Sequence, residues 1–202
     1  MFDLPTDLPA DLVPLSWLIG VWEGTGVIDY TVGDTRYTGE FAHRVSFTPH
    51  GAQLRYAADA WFLEGSGEEQ TRTPLVSEVG FWRLARPAGP QDPGPGLLPA
   101  TEPAVVRTAD DVEALRNAEG GFDIEVLLAH SDGVGELYLG QVRGPRIDLG
   151  TDHVARTASA KAYAAASRMY GLVDGHLLWA WDIAALGQEL GSHASARLAR
   201  AE

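Results

Sequence analysis

Histidine is the strongest transition-metal ligand available to this chain, which carries six: His43, His50, His130, His153, His176 and His193. Cysteine is absent, which removes disulfides, thiolate catalysis, iron–sulfur clusters and cysteine zinc sites together. No two histidines stand four apart in a helical segment, and none forms a His-x-His pair on a strand. A multi-histidine zinc or non-haem iron site would therefore need distant residues to converge. A site that asks for one histidine stays open. Haem is the obvious case, because its iron takes a single axial protein ligand in an apolar slot. His193 is a candidate: it follows Gly191 and Ser192 and precedes Ala194, Ser195 and Ala196, small residues that leave room for a flat ligand. The alternative for His193 is a surface position in the last strand. His50 and His176 sit in or beside turns and read as solvated, His130 precedes a turn, and His43 and His153 fall within strand runs and could face either side.

Other catalytic patterns are thin. There is no Gly-x-Ser-x-Gly elbow and no Gly-x-x-x-x-Gly-Lys phosphate loop. The acid pairs Glu68-Glu69 and Asp110-Asp111 lie in loop-like segments and read as solubilising. A formal charge of −13 argues against nucleic acid and against anionic membrane surfaces, both of which reward clustered basic residues. No run approaches the roughly 20 apolar residues of a membrane span, and the stretch from Met1 to Asp11 has acids but no base, unlike a secretory leader. A cytoplasmic protein is the expectation. Of the 15 basic residues only Lys161 is a lysine, and it stands in an alanine-rich stretch.

The elements that must position these residues are mostly short β-type runs. A length of 202 residues favours one domain, 1–202, with a sizeable core. Gly20 to Gly26 read Gly-Val-Trp-Glu-Gly-Thr-Gly, between an apolar run (Leu15, Trp17, Leu18, Ile19) and a β-type run (Val27 to Tyr30). Gly20, Gly24 and Gly26 allow close backbone approach and Trp22 offers a large ring to close one end of a barrel. These glycines are not a dinucleotide fingerprint, since no βαβ unit surrounds them. Strand runs are expected at Phe41–Thr48, Gln53–Phe62, Val76–Leu84, Phe122–Ala129, Val134–Leu139, Arg146–Gly150, His153–Ser159, Lys161–Tyr170, His176–Ile183 and Gln188–Leu198. Asp132-Gly133, Arg143-Gly144 and Asp174-Gly175 are expected hairpin turns. Ala160–Ala166 has helical composition but is read as strand from its surroundings. Between Pro87 and Pro103 fall six of the twelve prolines. The segment from about 87 to 120 therefore reads as an insertion that cannot pair in a sheet, with a helical turn or two at Asp110–Asn117. The whole predicts an all-β fold, an antiparallel up-and-down barrel or sandwich of about ten strands.

Several separated motifs resemble the nitrobindin family. They are Gly-x-Trp-x-Gly-x-Gly at Gly20 to Gly26 with its lead-in Trp17–Gly20; Glu78 to Arg83 (EVGFWR); the hairpin Glu125 to Gly140; the run from Ala155 to Lys161; and Ala184 to Gln188 followed by His193. The resemblance covers nearly the whole chain outside the proline-rich insertion, in the family's order. It implies a ten-stranded calycin barrel, like the fatty-acid-binding proteins, with one haem b per chain. His193 then stands at the position of the proximal iron ligand and Lys161 at that of a haem-contacting lysine, where an ammonium offsets a propionate. The activity implied is isomerisation of peroxynitrite to nitrate by ferric haem, together with binding of nitric oxide. The sequence departs from the family in its longer insertion, which could cover the barrel mouth or extend into solvent. The family's Tyr-Pro-Thr after the glycine motif is only partly matched, by Tyr30-Thr31 and Tyr37-Thr38, so no distal residue is assigned. Two other classes stay in view. One is a non-haem carrier of a small apolar ligand such as a fatty acid, with Arg55, Arg156 or Lys161 meeting its carboxylate; the other is a barrel kept as an interaction module. Oligomeric state is open, a homodimer among the options.

Overall fold

The computed structural model describes residues 8–201. Ten antiparallel strands follow one another around a closed barrel: β1 (Gly20–Val32), β2 (Thr35–His50), β3 (Gln53–Glu64), β4 (Thr71–Leu84), β5 (Phe122–His130), β6 (Val134–Arg143), β7 (Arg146–Arg156), β8 (Tyr163–Val173), β9 (His176–Ala185) and β10 (Gly191–Arg200), with β10 closing onto β1. The side-chain period of two sends one face of each strand inward. On β3 that face is Leu54, Tyr56, Ala58 and Ala60, all buried. On β4 Glu78 and Trp82 are buried, while Val79 and Phe81 face outward. Asp174 and Gly175 both take positive φ between β8 and β9, the backbone a tight primed hairpin turn requires.

Two expectations need correcting, and one element joins those expected. The runs at 146–150 and 153–159 are one strand, β7, and the irregularity that separates them in sequence is a register shift opposite Leu137 and Tyr138. The apolar lead-in to β1 is a 3-10 helix, Ala10–Leu18. Strand β8 begins at Tyr163, so Lys161 belongs to the β7–β8 loop. The alanine-rich stretch thus divides between loop and strand.

The short helix plugs one end of the barrel. Leu12, Leu15 and Leu18 are fully buried beneath the β-strands, and Trp22 donates its indole N–H to the Leu18 carbonyl at 2.8 Å. The proline-rich segment lies at this same end, between the close of β4 and the start of β5, and covers neither the opposite mouth nor open solvent alone. Arg107 pairs with Asp11 of the plug at 3.4 Å, Arg86 holds Asp92 in a two-pronged ion pair, and a five-residue helix α1 (Ala109–Glu113) buries Val112. Thr108 and Asp111 form a capping box that satisfies two backbone donors of α1. Among the described residues, no helix is long and apolar enough to cross a membrane.

Candidate functional site

At the end away from the plug the inward faces change character. Ala58, Ala60 and Ala194 stand where large side chains would fill the interior, and a cavity of about 500 Å³ opens between them, within the range of small-molecule and cofactor sites. Its wall includes Phe41 and His43 of β2, Trp179 and Trp181 of β9, His193 of β10 and Lys161 of the β7–β8 loop. The barrel is also parted at this end. Strands β7 and β8 pair only between Arg146–Gly150 and Ser167–Gly171; above that level Thr151 Oγ1 accepts from the Ala166 N–H, and the loop bearing Lys161 spans the gap.

His193 owes its orientation to a β-bulge. In the pairing of β10 with β9, Ser192 opposes Asp182 and Ala194 opposes Trp181, which leaves His193 as the extra residue. In a regular strand residue 193 would share the outward face of Ser195 and Arg197, both exposed; a bulge re-aims a side chain in this way. The ring is set edge-on to Tyr30 (5.2 Å between centroids) and Trp181 (5.4 Å). Tyr30 is fixed in turn, because its hydroxyl donates to the Ala185 carbonyl and accepts from the Ala185 N–H. His193 Nδ1 is buried and has no hydrogen-bond partner among the described residues. Burial first, and the Arg168 charge second, lower its pKa to about 4, so near neutral pH the ring is uncharged and its lone pair is free for a metal. Lys161, exposed at the rim, uses its carbonyl to accept from Arg156 Nη1 at 3.0 Å.

The floor of the cavity is ionic. Arg168 donates two parallel bonds to Glu78 (2.8 and 2.7 Å) and one from Nε to the Tyr138 hydroxyl. Its guanidinium lies 4.1 Å from the Trp181 ring centre. His130 sits between two carboxylates, Nε2 at 2.6 Å from Glu136 and Nδ1 at 3.4 Å from Glu78. Tyr138 and Tyr163 donate to Glu136, and Tyr56 donates to Glu78. Burial alone would push the Glu78 carboxyl up, but the charge and hydrogen bonds of Arg168 hold it down, at about 2. Sequence reasoning passed over this cluster. The signal was present in the alternation: Glu78 shares the face of Trp82, Glu136 that of Tyr138, and Arg168 that of Tyr170, so each polar residue falls on an inward position.

The glycine motif lines none of this. It packs the walls: a side chain on Gly24 would strike the Arg197 carbonyl, and one on Gly26 would strike the Ser195 carbonyl and the Phe41 ring. Both glycines bring β1 close against β10, the strand that carries His193, and Trp22 serves the plugged end, away from the cavity. Of the remaining histidines, His50 and His153 are exposed, and His176 Nδ1 lies 2.9 Å from the Asp174 carbonyl oxygen in the exposed β8–β9 turn.

Residues 11–200 match the family model described as a THAP4-like, heme-binding beta-barrel domain. The chain is 60% identical to a protein named peroxynitrite isomerase from Leifsonia xyli subsp. xyli, over 203 residues and the full length of both. It is 56% identical to another of that name from Clavibacter michiganensis subsp. michiganensis, again over both full lengths. The crystal structure of Rv2717c from M. tuberculosis superimposes with a TM-score of 0.68 at 25% identity, covering 97% of this chain and 100% of the other. The barrel agrees with these matches, and the chain belongs to the family of THAP4-like haem-binding β-barrels that the sequence motifs resemble, the nitrobindins.

Proposed function

We propose that the cavity holds one haem b, with His193 as its proximal ligand and Lys161 at a propionate, and that the protein isomerises peroxynitrite to nitrate and binds nitric oxide. The family match supports the cofactor, and the name borne by the full-length relatives supports the reaction. The residue assignments rest on one observation: an uncharged, half-buried imidazole that a bulge turns into the cavity wall.

The chain's residues would divide the work as follows. His193 holds the group on one side, and Tyr30 and Trp181 restrict the tilt of its ring. Lys161 places an ammonium at the rim, where an anionic substituent meets water. Aromatic walls keep bulk solvent from the interior. Bound there, ferric haem would supply Lewis acidity towards peroxynitrite, and the surrounding side chains would hold the reacting anion in place. The carrier reading finds less support. Arg55 lies on the exposed face of β3 and Arg156 is exposed on β7, while the arginine inside the cavity, Arg168, is already engaged by Glu78 and Tyr138.

Replacing His193 with Ala tests the assignment. Wild-type protein titrated with hemin gives a protein-bound Soret band; His193→Ala gives none, or one at far lower affinity. A variant with wild-type spectrum and affinity would remove His193 from the role.

A further inference from the structure

A second histidine faces the same cavity, and its hydrogen bonding fixes which nitrogen carries the proton. His43 lies on the inward face of β2 between Phe41 and Val45 and lines the cavity with His193. The Trp179 indole Nε1 is 3.1 Å from His43 Nδ1. Indole nitrogen is a donor only, so Nδ1 must accept, and a neutral ring must then carry its proton on Nε2. The ring is neutral: burial foremost lowers its pKa to about 4, Arg168 acts in the same direction, and Glu78 and Asp59 oppose. The arrangement is braced by edge contacts, with Trp179 at 5.1 Å and Phe41 at 5.8 Å between centroids. His43 Nε2 has no protein partner among the described residues. The cavity wall therefore carries at His43 an oriented, uncharged N–H donor without a protein acceptor among the described residues.

We propose that His43, locked as the Nε2–H tautomer by Trp179, is the hydrogen-bond donor to the small oxygen-bearing anion bound in the cavity, directly or through one water. The assignment rests on the haem reading above and supplies the polar contact that no sequence motif assigned. Donors aimed at a site of negative charge act most strongly where water is excluded. Neutrality suits the task, because a buried imidazolium would bind the anion tightly in every state, product included, and would favour no step over another. Arg168, the nearby cation, has its nitrogens committed to Glu78, Glu136 and Tyr138, so it gives the anion a field and leaves the hydrogen bond to His43.

Two measurements test this. The first needs no haem. Imidazole 15N spectra of the apoprotein at neutral pH should show His43 protonated on Nε2 and bare on Nδ1, and Trp179→Phe should release the lock and give a mixture of tautomers. A ring protonated on Nδ1, or on both nitrogens, overturns the proposal. The second uses hemin-loaded protein with fluoride as the probe, a small anion that reports hydrogen-bond donors. His43→Leu, compared at full hemin occupancy, should raise the fluoride Kd about tenfold or more, the loss expected for one hydrogen bond to a charged acceptor. His43→Gln, which returns an N–H near the Nε2 position, should recover most of the affinity. Equal fluoride affinity in wild type and His43→Leu overturns the donor role. Loss of hemin binding in His193→Ala but not in His43→Leu keeps the two assignments apart. Failure of wild-type protein to take hemin overturns both.

Discussion

The two ends of this barrel are built from the same ten strands and do opposite things with their inward positions. At the plugged end Leu12, Leu15, Leu18, Trp22 and Trp82 are buried to within about a hundredth of their surface, a 3-10 helix seals the opening, and the long insertion packs over it. At the other end the inward positions are small or aromatic, β7 and β8 separate, and a bulge turns one histidine inward. Between them lies the plane of Glu78, Arg168, His130 and Glu136. The contrast shows where stability and function are kept. Close packing of apolar side chains stabilises the first end, whereas the second leaves volume unfilled. The ionic plane lets both ends exist in one interior, because its carboxylates, guanidinium, imidazole and tyrosine hydroxyls satisfy one another across five strands, β3, β4, β5, β6 and β8.

The largest disturbance should come from that plane. Arg168→Met removes the cation from two buried carboxylates. Breaking a buried pair from one side typically costs about 3–5 kcal/mol, and urea unfolding should show a loss of that size. A variant as stable as wild type would mean that the floor is not an ionised network. Next comes the plug. Leu15 is fully buried, and Leu15→Ala should cost about 2–5 kcal/mol while hemin affinity changes by less than about twofold, provided the protein is kept well below its unfolding midpoint. A matching loss of hemin affinity would show that the two ends are coupled and spoil the division drawn here.

How much of this was legible in the sequence follows the same division. The strands, the hairpin turns and the inward faces of β3 and β5 are written in period-two alternation and in Asp-Gly turns, which act locally and need no knowledge of the partner strand. His193 stood out by its small neighbours and Lys161 as the lone lysine, family likeness gave both their roles, and both line the cavity. The reason His193 faces inward was not legible: strand alternation assigns residue 193 to the outer face, and only the register of β10 against β9 creates the bulge. The lock on His43 was hidden for a related reason, since Trp179 stands 136 residues away. The insertion misled because prolines and glycines report only that a segment cannot pair in a sheet. Its docking depends on Arg107 meeting Asp11 and on Val112 finding an apolar seat, neither of which composition encodes.

Acid provides a finer probe of the open end. His43 and His193 have pKa values lowered from 6.5 to about 4, so both bind protons more readily when the chain is unfolded. Their contribution is complete above about pH 6.5 and is lost as the pH falls towards 4. Glu78, lowered from 4.5 to about 2, does not begin to lose its share until the pH drops below about 4.5. The window between those values therefore reports the two rings. Stability of the apoprotein should fall by on the order of 2 kcal/mol per ring across it, and His43→Leu should remove about half of the slope. A flat profile would mean that the rings stay hydrated in the apoprotein.

The smallest expected effect is at the rim, where the comparison is most demanding because Lys161 contributes almost nothing to the fold. Its side chain is exposed and makes no ion pair or hydrogen bond among the described residues, so Lys161→Gln should leave the urea midpoint unchanged within error. Hemin affinity should nevertheless fall by the worth of one partly solvated charge-assisted contact, roughly 0.5–2 kcal/mol, or about 2- to 30-fold. Salt separates this from a steric effect. An exposed ammonium is screened over about 8–10 Å at 0.1–0.15 M ionic strength, so added salt should weaken hemin binding by wild-type protein more than by the variant, and the two affinities should converge. The chain has one lysine, so a propionate placed elsewhere on the rim would meet no second lysine ammonium. Equal affinities at low salt would therefore show that the group enters from another side of the mouth.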